Sequence, residues 1–127
     1  MSEVRKSAAL RPKPYDLETR TFEFAKRVRR FVKTLPRTIC NIEDVRQLVR
    51  ASGSIAANYI EANESLGKKD FLMRVRISRK ESKEATLWLR LIDAGTNKDV
   101  SFERDELVQE SVELMKIFGS ILKKSQP

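Results

Sequence analysis

Three glutamates (Glu61, Glu81 and Glu84), one cysteine (Cys40) and two rows of arginine and lysine are the side chains with which this sequence of 127 residues could do chemistry. It contains no histidine. The commonest general base near neutral pH is therefore missing, and Ser-His or Cys-His nucleophile pairs are excluded. A lone cysteine closes no disulfide within the chain, and no Cys/His set has the spacing of a zinc site. The glycines Gly53, Gly67, Gly95 and Gly119 are too far apart to form a phosphate-cradling loop. A carboxylate hydrolase would need Glu61, Glu81 or Glu84 clustered around a pocket or a divalent ion, and nothing in their spacing gathers them. The expectation is a protein that is not an enzyme and carries no metal or cofactor.

The cations form a pattern. Arg20, Arg27 and Arg30 fall on one outer helical face, flanked by Lys26, Arg29 and Lys33; Lys69, Arg76, Lys80 and Lys83 form a second row, with Arg74 and Arg79 nearby. Residues 1–36 hold ten Lys and Arg against four acids, and residues 67–95 hold eight against four. Residues 37–66 and 96–127 are each one charge negative, so the net +8 belongs to the first and third segments. Such rows suit a phosphate backbone, because each neutralised phosphate releases counterions and the effect accumulates. They equally suit a solvated face with i,i+4 partners such as Lys80–Glu84, or an acidic protein or anionic membrane surface. Trp88, between Leu87 and Leu89, reads as core or subunit interface, with base stacking the sharper alternative. Cys40, near Ile39 and Ile42, reads as a small, partly buried apolar residue, with a reactive thiol as the alternative.

The elements that hold these residues are helical. Few Gly and Pro, a charged fraction of 35% and an apolar fraction of 40% suit long amphipathic helices. After Asp16 as N-cap, Thr21, Phe24, Ala25, Val28, Phe31, Val32 and Leu35 form a stripe that Pro36 ends, giving a helix over 17–34. Asn41 caps a second helix with the stripe Val45, Leu48, Val49, Ser52, Ile55, Ala56, Tyr59 and Ile60, ending near Asn63. Gly53 in its small middle costs about 1 kcal/mol against Ala, which the close approach of a neighbouring backbone would offset. A third helix follows Gly67, carries Val75, Ser78, Ser82, Ala85 and Leu89 inward, and stops at Gly95; Ser101 caps a fourth, with Glu103, Asp105 and Glu106 in its first turns. Connections of roughly 5–8 residues make neighbours antiparallel. The predicted fold is all-α, an antiparallel up-down-up-down four-helix bundle over residues 15–124, preceded by a flexible arm over 1–14. No run reaches the roughly 20 apolar residues of a membrane span, and the start lacks a secretory signal, so a cytoplasmic protein is expected.

The segment Arg50-Ala51-Ser52-Gly53-Ser54-Ile55-Ala56-Ala57-Asn58-Tyr59-Ile60-Glu61-Ala62 resembles the four-helix-bundle proteins encoded in intervening sequences of bacterial 23S ribosomal RNA genes. Lys69-Asp70-Phe71-Leu72, Ser78-Arg79-Lys80-Glu81-Ser82-Lys83-Glu84-Ala85 and Trp88-Leu89-Arg90-Leu91 look like that family's third helix, and Leu35-Pro36 sits where its first helix ends. The likeness covers about residues 15–122. Ala62 stands where the family usually has glycine. The resemblance implies a ring-like homo-oligomer, typically a pentamer, and kinship with the basic accessory variability proteins of diversity-generating retroelements, which associate with a reverse transcriptase and nucleic acid.

It also implies that Arg50, Ser54, Asn58, Glu61 and Glu84 are recurrent polar positions. Ser54, Asn58 and Glu61 share a helix face with Arg50 one turn earlier, and are read as a partly buried polar network between helices or subunits. The expected function is low-specificity binding of RNA or DNA, RNA favoured, as an adapter to a nucleic-acid enzyme. The competing expectation is an oligomeric scaffold for an acidic protein partner.

Overall fold

The structure, a computed structural model, describes residues 16–125; the arm expected over residues 1–14 lies outside them. The described chain forms four helices, α1 (Leu17–Val32), α2 (Ile39–Asn63), α3 (Lys68–Leu91) and α4 (Lys98–Lys124). No strand occurs among the described residues. Each helix packs on its sequence neighbours, and α1 also meets α4 over a shorter seam, closing a four-helix cycle. Bonded pairs run in opposite directions along adjacent helices: Asn58 and Ser78 of α2 and α3 reach Arg74 and Ile55 respectively, while Arg20 and Arg27 of α1 reach Glu110 and Glu103 of α4. The bundle is therefore antiparallel, as the short connections predict. No helix among the described residues is long and apolar enough to cross a membrane.

The predicted stripes form the core. Val28, Leu48, Ile55, Val75, Leu89, Leu107, Leu114 and Phe118 are fully buried, each contributing about 1.5–3 kcal/mol relative to exposure. Tyr59 and Phe118 meet across the core with ring centroids 5.8 Å apart. Thr21 is buried as its place on the α1 stripe requires, its hydroxyl donating to the Leu17 carbonyl. Ile60, by contrast, is 46% exposed at the edge of the α2 stripe. The small residues do bring α2 and α3 together: the Ser78 hydroxyl donates to the Ile55 carbonyl at 3.0 Å, which no larger side chain there could permit.

Helix α1 ends at Val32 rather than residue 34, and helix ends differ from the sequence reading at three further places. Thr38, not Asn41, caps α2: its backbone is extended and its hydroxyl accepts the Asn41 amide at 3.1 Å. Asn41 lies inside the first turn, where it is buried. Its side-chain amide donates to the Pro36 and Asp93 carbonyls and its oxygen accepts the Asp93 amide, latching the 33–38 loop to the 92–97 loop. Asn97, not Ser101, caps α4, accepting from the Asp99 and Val100 amides. The helix thus begins a turn early, and Asp99 rather than Glu103 is the acid of its first turn. Finally, α3 ends at Leu91, not Gly95, because Ile92 turns to extended backbone and buries its side chain. Gly95 instead adopts φ +75° in the loop, where an added Cβ would come within 3.2 Å of the Pro36 ring.

Candidate nucleic-acid interface

Half of the α1 row is turned to internal use. Arg20 and Arg27 are two turns apart, as are Glu103 and Glu110 on α4, and the antiparallel packing brings the pairs into register. Arg20 Nε and Nη2 donate to the two Glu110 oxygens at 2.7 and 2.9 Å, and Arg27 makes the same fork on Glu103 at 2.7 and 2.9 Å. Both pairs are partly buried. The carboxylate hydrogen bond, first of all, raises each arginine above its ordinary range, with burial acting against it. Arg29 folds over α2, donating to the Ala25 carbonyl at 3.0 Å and lying near Ser52 and the Val49 carbonyl. Beside Gly53, an added Cβ would stand 3.3 Å from Arg29 Nη2, so the close neighbour is a guanidinium and not a backbone. Lys26 lies 5.8 Å from the Phe22 ring centroid, and Lys26, Arg30 and Lys33 are exposed.

The polar network divides in two. Arg50 chelates Glu81 at 3.1 and 3.3 Å and reaches Glu84 at 3.2 Å. Glu81, absent from the sequence-level network, is its most buried member at 7% exposure. Separately, Asn58 donates to the Ser54 carbonyl and hydroxyl and accepts from Arg74 at 3.0 Å. Arg74, expected in the basic row, thus joins α3 to α2. Glu61 is exposed and belongs to neither group. Glu61, Glu81 and Glu84 do not gather into one site, and no set of metal-binding side chains forms among the described residues.

On the outer face of α3 the cations are left over. Lys69, Arg76, Lys80 and Lys83 are exposed, and with them Arg79 and Arg90; none makes an ion pair with a described residue. Glu84, the expected partner of Lys80, is taken by Arg50. The row from Lys69 to Arg90 runs about 31 Å at the helical rise of 1.5 Å per residue. Arg76, Arg79, Lys80 and Lys83 share a shallow depression of about 430 Å³ with Leu87 and with Glu84, whose carboxylate is held by Arg50. Arg79 lies across α4 at Gly119, within 3.5 Å of where a Cβ would be. Arg90 is the member that the sequence reading missed. The signal was there, because Arg76, Lys83 and Arg90 follow one another at seven-residue steps and so fall on one helix face.

The remaining candidates are settled by burial. Trp88 is half-buried and packs against the core, its Nε1 enclosed without a hydrogen-bond partner among the described residues. Cys40 is exposed, not partly buried, because the Thr38 cap turns this position of α2 outward beside an 84% exposed Ile39.

Comparison with known proteins agrees with this architecture. Residues 15–120 match the family model described as 23S rRNA-intervening sequence protein. A crystal structure of a protein of unknown function from the S23 ribosomal protein family of Bacteroides thetaiotaomicron is 26% identical and superposes with a TM-score of 0.70, covering 84% of this chain and 98% of that one. No curated protein matches. The chain belongs to the 23S rRNA-intervening sequence protein family.

Proposed function

We propose that this member of the family is a non-enzymatic nucleic-acid-binding protein, RNA favoured, that grips phosphates through the outer face of α3 with little sequence preference. The observation that carries the reading is that face itself: six exposed cations along one helix with no ion pair to a described residue, while the neighbouring carboxylates Glu81 and Glu84 are committed to Arg50. Counterion release by several such cations suffices for binding, and contacts to phosphate position a backbone without reading bases. RNA is favoured over DNA on the family's setting in intervening sequences of 23S rRNA genes, which its description names. Assembly into a homo-oligomer, a pentamer by resemblance, would repeat the row and multiply its effect through avidity. Exposed Ile60 on α2 offers apolar surface for such assembly.

The test is a titration of nuclease-treated protein against a structured RNA and a DNA duplex of equal length over a series of salt concentrations. Submicromolar RNA binding near physiological salt is expected, with a steep log–log salt slope that falls by about 0.9 for each phosphate contact removed. Loss of all binding at physiological salt would reject the reading and direct the search to an acidic protein partner.

A further inference from the structure

Resting on the phosphate-binding reading above, we infer that the α3 face selects double-helical over single-stranded nucleic acid. The face is a rigid ridge. Val75, Ser78, Ser82, Ala85 and Leu89, on the opposite side of the same helix, are fully buried, so α3 cannot bend to follow a strand. The cations stand on its solvent side, and the depression between Arg76 and Lys83 is shallow. Proteins that hold single strands use a basic groove that tracks the backbone, together with aromatic rings on which bases stack, each stacked base contributing about 1–3 kcal/mol.

The aromatic side chains of the described chain are elsewhere. Phe24, Phe31, Phe118 and Tyr59 are core; Phe71 and Trp88 pack against it; Phe22 and Phe102 are exposed, but on α1 and α4. What the ridge offers is charge at fixed intervals. Arg76, Lys83 and Arg90 recur every seventh residue, about 10.5 Å apart along the axis. A flexible strand would lose conformational freedom in being laid along this row, and its bases would gain no stacking partner. A duplex presents its phosphates already spaced, and its higher charge density releases more counterion per contact, with a salt slope of about −0.9 per contact against about −0.7 for a single strand. On RNA the ridge would lie across the wide, shallow minor groove, reaching phosphates and 2′-hydroxyls of both strands. Laid along a B-form DNA duplex, at roughly 3.4 Å per pair, the row would cover about nine base pairs.

The experiment compares an RNA duplex of about 20 base pairs, roughly twice the length of the row, with an unstructured RNA strand of equal length, both titrated into the full chain over a salt series. The duplex is expected to bind about tenfold tighter or better near 0.15 M salt, and Arg76→Gln with Lys83→Gln is expected to reduce its slope by about 1.8. Phe22→Ala and Phe102→Ala, at exposed positions, should change neither affinity. Equal or tighter binding of the single strand overturns the duplex inference and leaves the phosphate-binding reading standing. Binding of neither probe overturns both.

Discussion

Helices α1 and α3 both carry dense rows of cations and look alike in sequence, yet the bundle treats them differently. Three of the α1 arginines are engaged within the fold: Arg20 and Arg27 by glutamates of α4, and Arg29 by α2. On α3 only Arg74 is engaged, and the outward row from Lys69 to Arg90 is free of ion pairs with described residues. The difference lies in the neighbour. Toward α1, α4 presents Glu103 and Glu110 in matching register; toward α3 it presents Ser111, Val108 and Gly119, with Asp105 near Arg90 but bonded to Arg104, and Arg79 crosses it without an ion pair to a described residue. A row of basic residues therefore acquires its role from the helix packed beside it, and the bare row says little until that helix is in place.

The largest expected effect breaks the comparison on the α3 side. Reversing Arg76, Arg79 and Lys83 to glutamate should weaken RNA binding about 100-fold or more, three contacts at roughly 1 kcal/mol each, while leaving the thermal midpoint nearly unmoved. Anisotropy titration and a thermal melt on the same sample read both quantities. If affinity survives, the free row is a solvated face and the two helices do not differ in function.

The next effect reverses the readout. Arg20→Glu with Arg27→Glu places carboxylates against Glu110 and Glu103 and should cost about 2–4 kcal/mol of stability, lowering the midpoint by about 10 °C, with RNA affinity of the folded protein little changed. Adding Glu103→Arg and Glu110→Arg, which restores both pairs in swapped order, should recover most of that loss. The raised pKa of both arginines has a definite sign: their contribution is complete below the ordinary arginine range and is lost only as pH rises through the higher folded value. The arginine titration therefore leaves stability flat across neutral pH. A swapped protein no more stable than the double reversal would show that the seam depends on something other than these pairs.

How much of this could be read from the sequence follows from the range of the interactions involved. Periodicity located the four helices and most of the core, because an apolar stripe is a local pattern that burial rewards directly. Caps were misplaced at Asn41, Ser101 and Gly95 because several polar or flexible residues stood close together there. The choice among them was made by tertiary contacts: Asn41 is drawn inward by the Asp93 backbone, 52 residues away. The candidate interface was half legible. The α3 row was visible as spacing, but whether a cation is free depends on partners 76 to 90 residues away, as with Arg27–Glu103 and Arg20–Glu110. Glu81, read only as a candidate carboxylate, was left out of the polar network because its pairing depends on Arg50 of another helix.

A smaller effect tests the third engaged cation of α1. Arg29→Met keeps the stem that covers α2 and removes the guanidinium; it should cost about 1 kcal/mol, the worth of a partly exposed set of hydrogen bonds, and leave RNA binding unchanged.

Smallest of all, and most informative about how Arg29 is seated, is Gly53→Ala. Within a helix the substitution gains up to about 1 kcal/mol of propensity, while the new Cβ stands 3.3 Å from Arg29 Nη2, a contact that must give by a few tenths of an ångström. The atom approached is the far end of a flexible side chain whose hydrogen bonds to Ser52 and the Val49 carbonyl are already long, at 3.4 and 3.5 Å. It can move aside at little cost, so Gly53→Ala alone should be neutral to mildly stabilising by chemical denaturation. In the Arg29→Met background the same change should gain more, and the difference between the two measures the coupling between glycine and guanidinium. If Gly53→Ala instead destabilises by more than about 1 kcal/mol, the Arg29 seat is rigid and α1 is held to α2 as firmly as Arg20 and Arg27 hold it to α4. All three arginines would then be structural, leaving α1 the exposed Lys26, Arg30 and Lys33 beside the six exposed cations of α3.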